Sequence, residues 1–247
     1  MKTPPQDSPP PYSCIIFDCD STLSEIEGID ELAGSRRAEI CALTDRAMAG
    51  ELPLEEVYGA RLALLQPDRD AVARVAKLYL EHALPHAAQL IHALRSLGKR
   101  VAVVSGGLRA AVEPFATALG VDRAEVHAVD IHFDESGCYA GFDSSSPLAR
   151  SGGKPPVVAQ IVAQSEPHGA ALIGDGVTDL EAAGEVDRFI AFAGVADRTA
   201  VTTVAVQVAR GRDLAELLPL LLTDEERALL AVDTSHAALL AASHSKP

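Results

Sequence analysis

Tryptophan and asparagine are absent from this chain, lysine occurs only at positions 2, 77, 99, 154 and 246, and no cysteine stands in a CxxC pair. Each shortage excludes something. Without Asn there is no acceptor for N-glycosylation. Cys14, Cys19, Cys41 and Cys138 suit neither a zinc ribbon nor a disulfide framework, and read as free thiols in a reducing compartment, the cytoplasm. Basic charge is scarce as well: 21 Lys and Arg against 35 Asp and Glu leave a formal net charge of −14. Counterion release at phosphates needs a basic face, so no nucleic-acid partner is expected. No apolar run reaches the roughly 18 residues of a membrane span, and the longest, near Leu217 to Leu222, is broken by Pro219, so no membrane partner is expected either. The first dozen residues hold five prolines and no apolar stretch. They do not form a secretory signal, and residues 1–12 are expected to be a disordered or extended tail.

What remains is 247 residues with 48% hydrophobic and 23% charged composition, ordinary for a globular protein with a large core. Ser13 to Asp18 is a short apolar run, too short for a helix and suited to a buried parallel strand. Similar runs recur at Arg100 to Ser105, Ala170 to Asp175, Arg188 to Gly194 and Val201 to Val208. Helical stretches lie between most of them. Leu90, Ile91, Leu94 and Leu97 repeat at helical spacing and stop at Gly98, where a left-handed cap is expected. Strands alternating with helices indicate an α/β fold, a Rossmann-like parallel sheet covered on both faces. From about Gly28 to His82 no strand-like run occurs, so a helical cap inserted after the first strand is expected. The expected division is therefore a core of residues 13–27 and 83–222, a cap of residues 28–82 and a helical extension of residues 223–247. A second irregular stretch, VHAVDIHFDESGCYAGFD, alternates around Glu135, Ser136 and Gly137 and reads as a hairpin beside the main sheet.

In parallel α/β sheets ligands bind at the carboxyl ends of the strands. Three such ends carry suitable groups: Asp18 and Asp20, Ser105 with Gly106 and Gly107, and Asp175 with Asp179. Lys154 in an SGGK turn opens the Pro155 to Gln164 helix, where an anion is favoured. Clustered carboxylates repel one another unless a cation or proton offsets them. Mg²⁺ is the natural cation, because it prefers hard oxygen ligands and is commonly shared with substrate phosphate. An Asp carboxylate can attack phosphorus to give an aspartyl-phosphate. A second, protonated carboxyl group two residues away can serve the leaving alcohol. Other phosphate motifs fail: Asp179 stands in place of the third dinucleotide-binding glycine, and Leu148 in place of the P-loop's first.

FDCDSTL, VVSGG, SGGK and IGDGVTD, in this order, resemble the four motifs of the haloacid dehalogenase superfamily of phosphatases. EGIDELA, TDRAMAGELP, ARLALLQP, YAGFD and RSGGK narrow the resemblance to its phosphoserine phosphatase branch, over about Ile15 to Leu218. The resemblance implies a Mg²⁺-dependent phosphatase that hydrolyses O-phosphoserine, a small-molecule substrate, through an aspartyl-phosphate. Asp18 would be the nucleophile and Asp20 the general acid and base. Mg²⁺ would lie on Asp18, Asp175 and the Asp20 backbone carbonyl, supported by Asp179, and Ser105, Gly106 and Lys154 would hold the phosphoryl group. Glu27 would take the ammonium and Arg61 the carboxylate, with Met48 and Gly50 shaping the pocket and Thr178 near the substrate.

Plainer roles stay open for several of these: Glu27 as an acid in a helix's first turn, Arg61 as an exposed helical residue, Met48 as core packing, Lys154 as a loop cap. Two departures from the family pattern stand out, Cys19 between the aspartates and Ala49 in the RAMAG turn. A related phosphatase or phosphotransferase acting on another small ester, and a non-catalytic sensor of phosphorylated metabolites, are the alternative functions. Thr223 and Glu226 form a capping-box pattern in the extension, which reads either as packing on the sheet edge or as the contact of a homodimer.

Overall fold

The computed structural model describes residues 11–48, 54–165 and 168–243. Strand β1 (Cys14–Phe17) is buried along its whole length, as an apolar run in the centre of a parallel sheet should be. Four helices follow it, α1 (Gly28–Glu31), α2 (Arg37–Met48), α3 (Leu54–Leu65) and α4 (Arg69–Glu81). Helix α4 begins where the Asp68 side chain accepts from the Ala71 amide at 2.7 Å, and buries Val72, Val75, Ala76 and Tyr79 at helical spacing. Helix α5 (Ala87–Ser96) ends as its sequence requires. Gly98 takes φ 76° while its amide bonds the Arg95 carbonyl at 2.9 Å and the Lys99 amide bonds the Leu94 carbonyl at 3.1 Å. That is the paired left-handed cap that glycine permits.

Strand β2 (Arg100–Leu108), α6 (Arg109–Ala118) and β3 (Val126–Val129) come next, then the hairpin of β4 (Ile131–Phe133) and β5 (Tyr139–Phe142). The chain continues through α7 (Lys154–Ala163), β6 (Ala170–Gly174), α8 (Val177–Glu181), β7 (Arg188–Phe192), α9 (Thr199–Thr202) and β8 (Gln207–Ala209). It closes with α10 (Leu218–Leu221), α11 (Asp224–Leu230) and α12 (Ala237–Ser243). The main sheet has six parallel strands in the order β3-β2-β1-β6-β7-β8. Connections depart to opposite sides of β1, towards β2 on one side and β6 on the other, so the crevice of this topology opens at its carboxyl end.

Two strand assignments from sequence need correction. Val126–Val129 belongs to the main sheet as its edge strand, parallel to β2, and only the residues after it form the hairpin. It follows a helical crossover, which delivers the chain to a parallel position. The run Val201 to Val208 is not one strand: its start lies in α9, and only Gln207–Ala209 pairs with β7. The chain must first return from the carboxyl end of β7 to make a parallel pair, so tertiary demand overrides the β-branched composition. Among the described residues no helix is long and apolar enough to cross a membrane.

Candidate active site

The Asp18 amide bonds the Ile173 carbonyl at 2.9 Å, carrying the β1–β6 ladder one residue past β1. There the chain turns, with the Thr22, Leu23 and Ser24 amides all directed to the Cys19 carbonyl. The turn leaves the Asp18 carboxylate in the crevice, where its Oδ1 accepts from the Cys19 amide at 2.7 Å and from Lys154 Nζ at 2.9 Å. Lys154, the first residue of α7, also donates to Asp179 Oδ1 at 2.7 Å. Asp179 Oδ2 in turn accepts from the Gly176 amide at 3.0 Å. This carboxylate lies so close to the end of β6 that a Cβ on Gly174 would sit 2.2 Å from its Cγ, which only glycine avoids.

Asp20 faces the helical segment instead. Its Oδ1 accepts from the Gly28 amide and from Tyr79 Oη, both at 2.6 Å, and its Oδ2 from Ser105 Oγ at 3.2 Å. Ser105 accepts from the Gly107 amide at 2.9 Å, within the last residues of β2, where the pairing with β3 shifts register between Val104 and Leu108. Glu27 immediately precedes α1, yet its side chain makes no cap there. Its Oε1 accepts from Ser21 Oγ at 2.7 Å and Arg198 Nη2 at 3.0 Å. Arg198 Nε donates to Asp175 Oδ2 at 2.7 Å, and Thr22 Oγ1 donates to Asp175 Oδ1 at 3.3 Å. Arg61 is buried rather than exposed, with its guanidinium 3.9 Å from the Asp30 carboxylate.

Burial raises the pKa of Asp20 to about 6, with the Asp18 charge adding to it, against the opposing bonds from Tyr79 and Gly28. Burial also raises Glu27 and Asp179 well above their ordinary values and Asp175 above its own, while Arg198 opposes the shifts at Glu27 and Asp175. Lys154 is raised as well, for a different reason: burial alone would lower it, but the charges of Asp179 and Asp18 outweigh that and hold it protonated. The carboxylates are thus crowded beyond what the local cations offset.

Asp18, Asp175 and Asp179 each bring one carboxylate oxygen within 4.8 Å of the others. An all-oxygen set with unbalanced negative charge fits a hard divalent cation such as Mg²⁺. A cavity joins this cluster to the helical segment, and Asp18, Asp20, Glu27, Arg61, Gly106, Lys154, Asp175 and Thr178 of the expected residues line it. Ser105 and Asp179 lie buried against it. The Met48 side chain and Gly50 lie outside the described residues. Sequence reasoning missed Arg198, Tyr79, Asp30 and Tyr58. Of these Arg198 carried a signal, since it stands in the loop at the carboxyl end of β7, where a ligand-binding residue is to be sought.

A family model described as haloacid dehalogenase-like hydrolase matches residues 15–184. The chain is similar to phosphoserine phosphatase of Rattus norvegicus, 40% identical over 182 residues that cover 73% of this chain and 81% of the relative. It is also similar to chloroplastic phosphoserine phosphatase of Arabidopsis thaliana, 40% identical over 196 residues covering 77% of this chain and 66% of that one. A solved structure described as a phospho-aspartyl intermediate analogue of phosphoserine phosphatase superposes with a TM-score of 0.74 at 27% identity, covering 85% of this chain and 99% of the other.

Proposed function

The chain belongs to the haloacid dehalogenase-like hydrolase family, and from that membership we propose that it hydrolyses O-phosphoserine to serine and phosphate through an aspartyl-phosphate on Asp18. The observation that carries the reading is the position of Asp18. Its carboxylate is held 2.9 Å from Lys154 in a cavity whose lining also includes an acid, Glu27, and a buried Arg61. Phosphoserine has a phosphate, an ammonium and a carboxylate, and each needs a partner of matching charge.

Asp18 Oδ1 is taken by two donors, so attack on phosphorus falls to Oδ2. As that bond forms, the bond from phosphorus to the seryl oxygen breaks, and Asp20 gives the departing oxygen its proton. Serine leaves. Asp20, now a carboxylate, takes a proton from a water that attacks the same phosphorus, and the P–O bond to Asp18 breaks to release phosphate. Lys154 and Ser105 offset charge on the phosphoryl oxygens and Gly106 borders them. Glu27 receives the ammonium, Arg61 the carboxylate, and Thr178 contacts the substrate from the start of α8. Mg²⁺ would be held by the Asp18 and Asp175 carboxylates and the Asp20 carbonyl with Asp179 behind them, and when bound it offsets their repulsion and the phosphoryl charge.

Residues 28–82 act as a cap over a core of residues 13–27 and 83–222. The two chain segments linking them are clipped by an isolated bridge between Ser24 and Ala83, which supports a hinge at that point. The chain works in the cytoplasm as a homodimer whose contact includes the exposed Leu229 and Val232 of the 223–247 extension. The decisive experiment is phosphate release from a panel of phosphorylated metabolites, in Mg²⁺ and in EDTA, with Asp18→Asn as control. O-phosphoserine is expected to be the best substrate, and EDTA and the variant each to abolish turnover of a folded protein. Product analysis with competing alcohols separates hydrolysis from phosphoryl transfer.

A further inference from the structure

Among the polar side chains that line the cavity, one has neither a part in that chemistry nor a partner among the described residues. Tyr58, on α3, lines the cavity and is 1% exposed. Its hydroxyl is buried and has no hydrogen-bond partner among the described residues. Buried phenols ordinarily find a partner, because an unmade bond leaves the cost of desolvating the hydroxyl uncompensated. The ring is held in place: it packs against Phe142 with centroids 5.3 Å apart, and the Arg61 guanidinium lies 5.8 Å from its centroid. Tyr58 and Arg61 are three residues apart on one helix and therefore share a face. Burial raises the phenol above its ordinary range, so the hydroxyl keeps its proton and remains a donor.

A donor beside a buried cation, with no acceptor of its own, suits an anionic oxygen supplied by the ligand. The phosphoryl group is matched by Lys154 and Ser105, and the ammonium is itself a donor matched by Glu27. The carboxylate is the group left. We propose that Tyr58 determines specificity by donating a hydrogen bond to the substrate carboxylate beside Arg61, so that phosphate esters carrying an α-carboxylate are preferred over those without one. This role presupposes that phosphoserine is hydrolysed at the site.

Tyr58→Phe tests it, because the change removes a single oxygen that has no partner in the unliganded protein. The melting temperature of the unliganded variant should therefore equal or exceed that of the wild type. O-phosphoserine and O-phosphoethanolamine share the phosphate and the ammonium, and only the first has the carboxylate. A hydrogen bond to a charged group is worth roughly ten- to a hundred-fold in binding. The variant should lose about tenfold or more in kcat/KM for phosphoserine, mostly through KM, and less than about twofold for phosphoethanolamine. If phosphoethanolamine turns over too slowly, its inhibition constant against phosphoserine, compared between wild type and variant, gives the same contrast. Equal losses on both ligands, or no loss on phosphoserine, would overturn the role of Tyr58. Failure of the wild type to hydrolyse phosphoserine would instead overturn the assignment of the reaction.

Discussion

Asp18 and Asp20 are two residues apart on one turn, and different neighbours fit them for different tasks. Lys154 and the Cys19 amide fix the first, whereas Tyr79 and the Gly28 amide, both from the helical segment, fix the second. Tyr79→Phe removes one donor on Asp20 Oδ1. Turnover should fall about tenfold, the worth of a hydrogen bond to a charged group, and the KM for phosphoserine should stay near that of the wild type; steady-state kinetics decide it. Arg198 ties Glu27 to Asp175, each through a single oxygen. Arg198→Gln leaves the buried Asp175 and the half-buried Glu27 without that cation, a loss of about 3 kcal/mol in the metal-free protein. For a chain of this size that corresponds to a fall of roughly 6–12 °C in Tm. The fall should shrink in saturating Mg²⁺, which restores positive charge at Asp175, as calorimetry with and without the metal will show. The aspartates, Ser105 and Lys154 were legible in the sequence because each sits in a short motif at a strand end or helix start. Arg198 has only its place after β7 to mark it, because its two partners are 23 and 171 residues away and only the folded sheet brings them together.

The connection between β1 and the helical segment relies on a glycine for a steric reason. A Cβ at Gly28 would lie 2.0 Å from Tyr79 Oη, the atom that donates to Asp20. Gly28→Ala must push the phenol away, and its turnover defect should be at least that of Tyr79→Phe. Adding Gly28→Ala to Tyr79→Phe should then cost much less than it does alone, a non-additivity that a double-mutant cycle measures. Next to this contact the Ser24 hydroxyl donates to the Tyr79 and His82 carbonyls at 3.2 and 3.0 Å, fastening the end of α4 to the core. Elements with strong periodicity, such as α4 and α5, and the fully apolar β1 were legible. Val126–Val129 and Val201 to Val208 were not, since their β-rich composition is the same whether they form an edge strand, a hairpin arm or a returning turn. Position in the sheet, a long-range property, separates those outcomes.

At the scale of the whole molecule, the formal charge of −14 conceals an acidic site that needs cations and a surface that carries most of the remaining acids. Charge alone therefore predicts little about the ligand. The C-terminal helices bury Leu230 and Leu239 against the core while Leu229 and Val232 stay exposed. Light scattering should return the mass of two 25.9 kDa chains, and Leu229→Glu with Val232→Glu should return one. A single mass in both would leave the extension as an internal support alone. Lys99, at the amino end of β2, is buried, donates to the Tyr12 carbonyl at 2.6 Å and pairs with Glu226 of α11. His236 lies within 3.3 Å of Ser96 in the same region. Lys99 therefore ties Tyr12 to α11 at the end of the sheet opposite the catalytic mouth, a fastening that can be cut without touching the catalytic residues. Lys99→Met should lower the melting temperature while the KM for phosphoserine stays at the wild-type value, as calorimetry and steady-state kinetics will show.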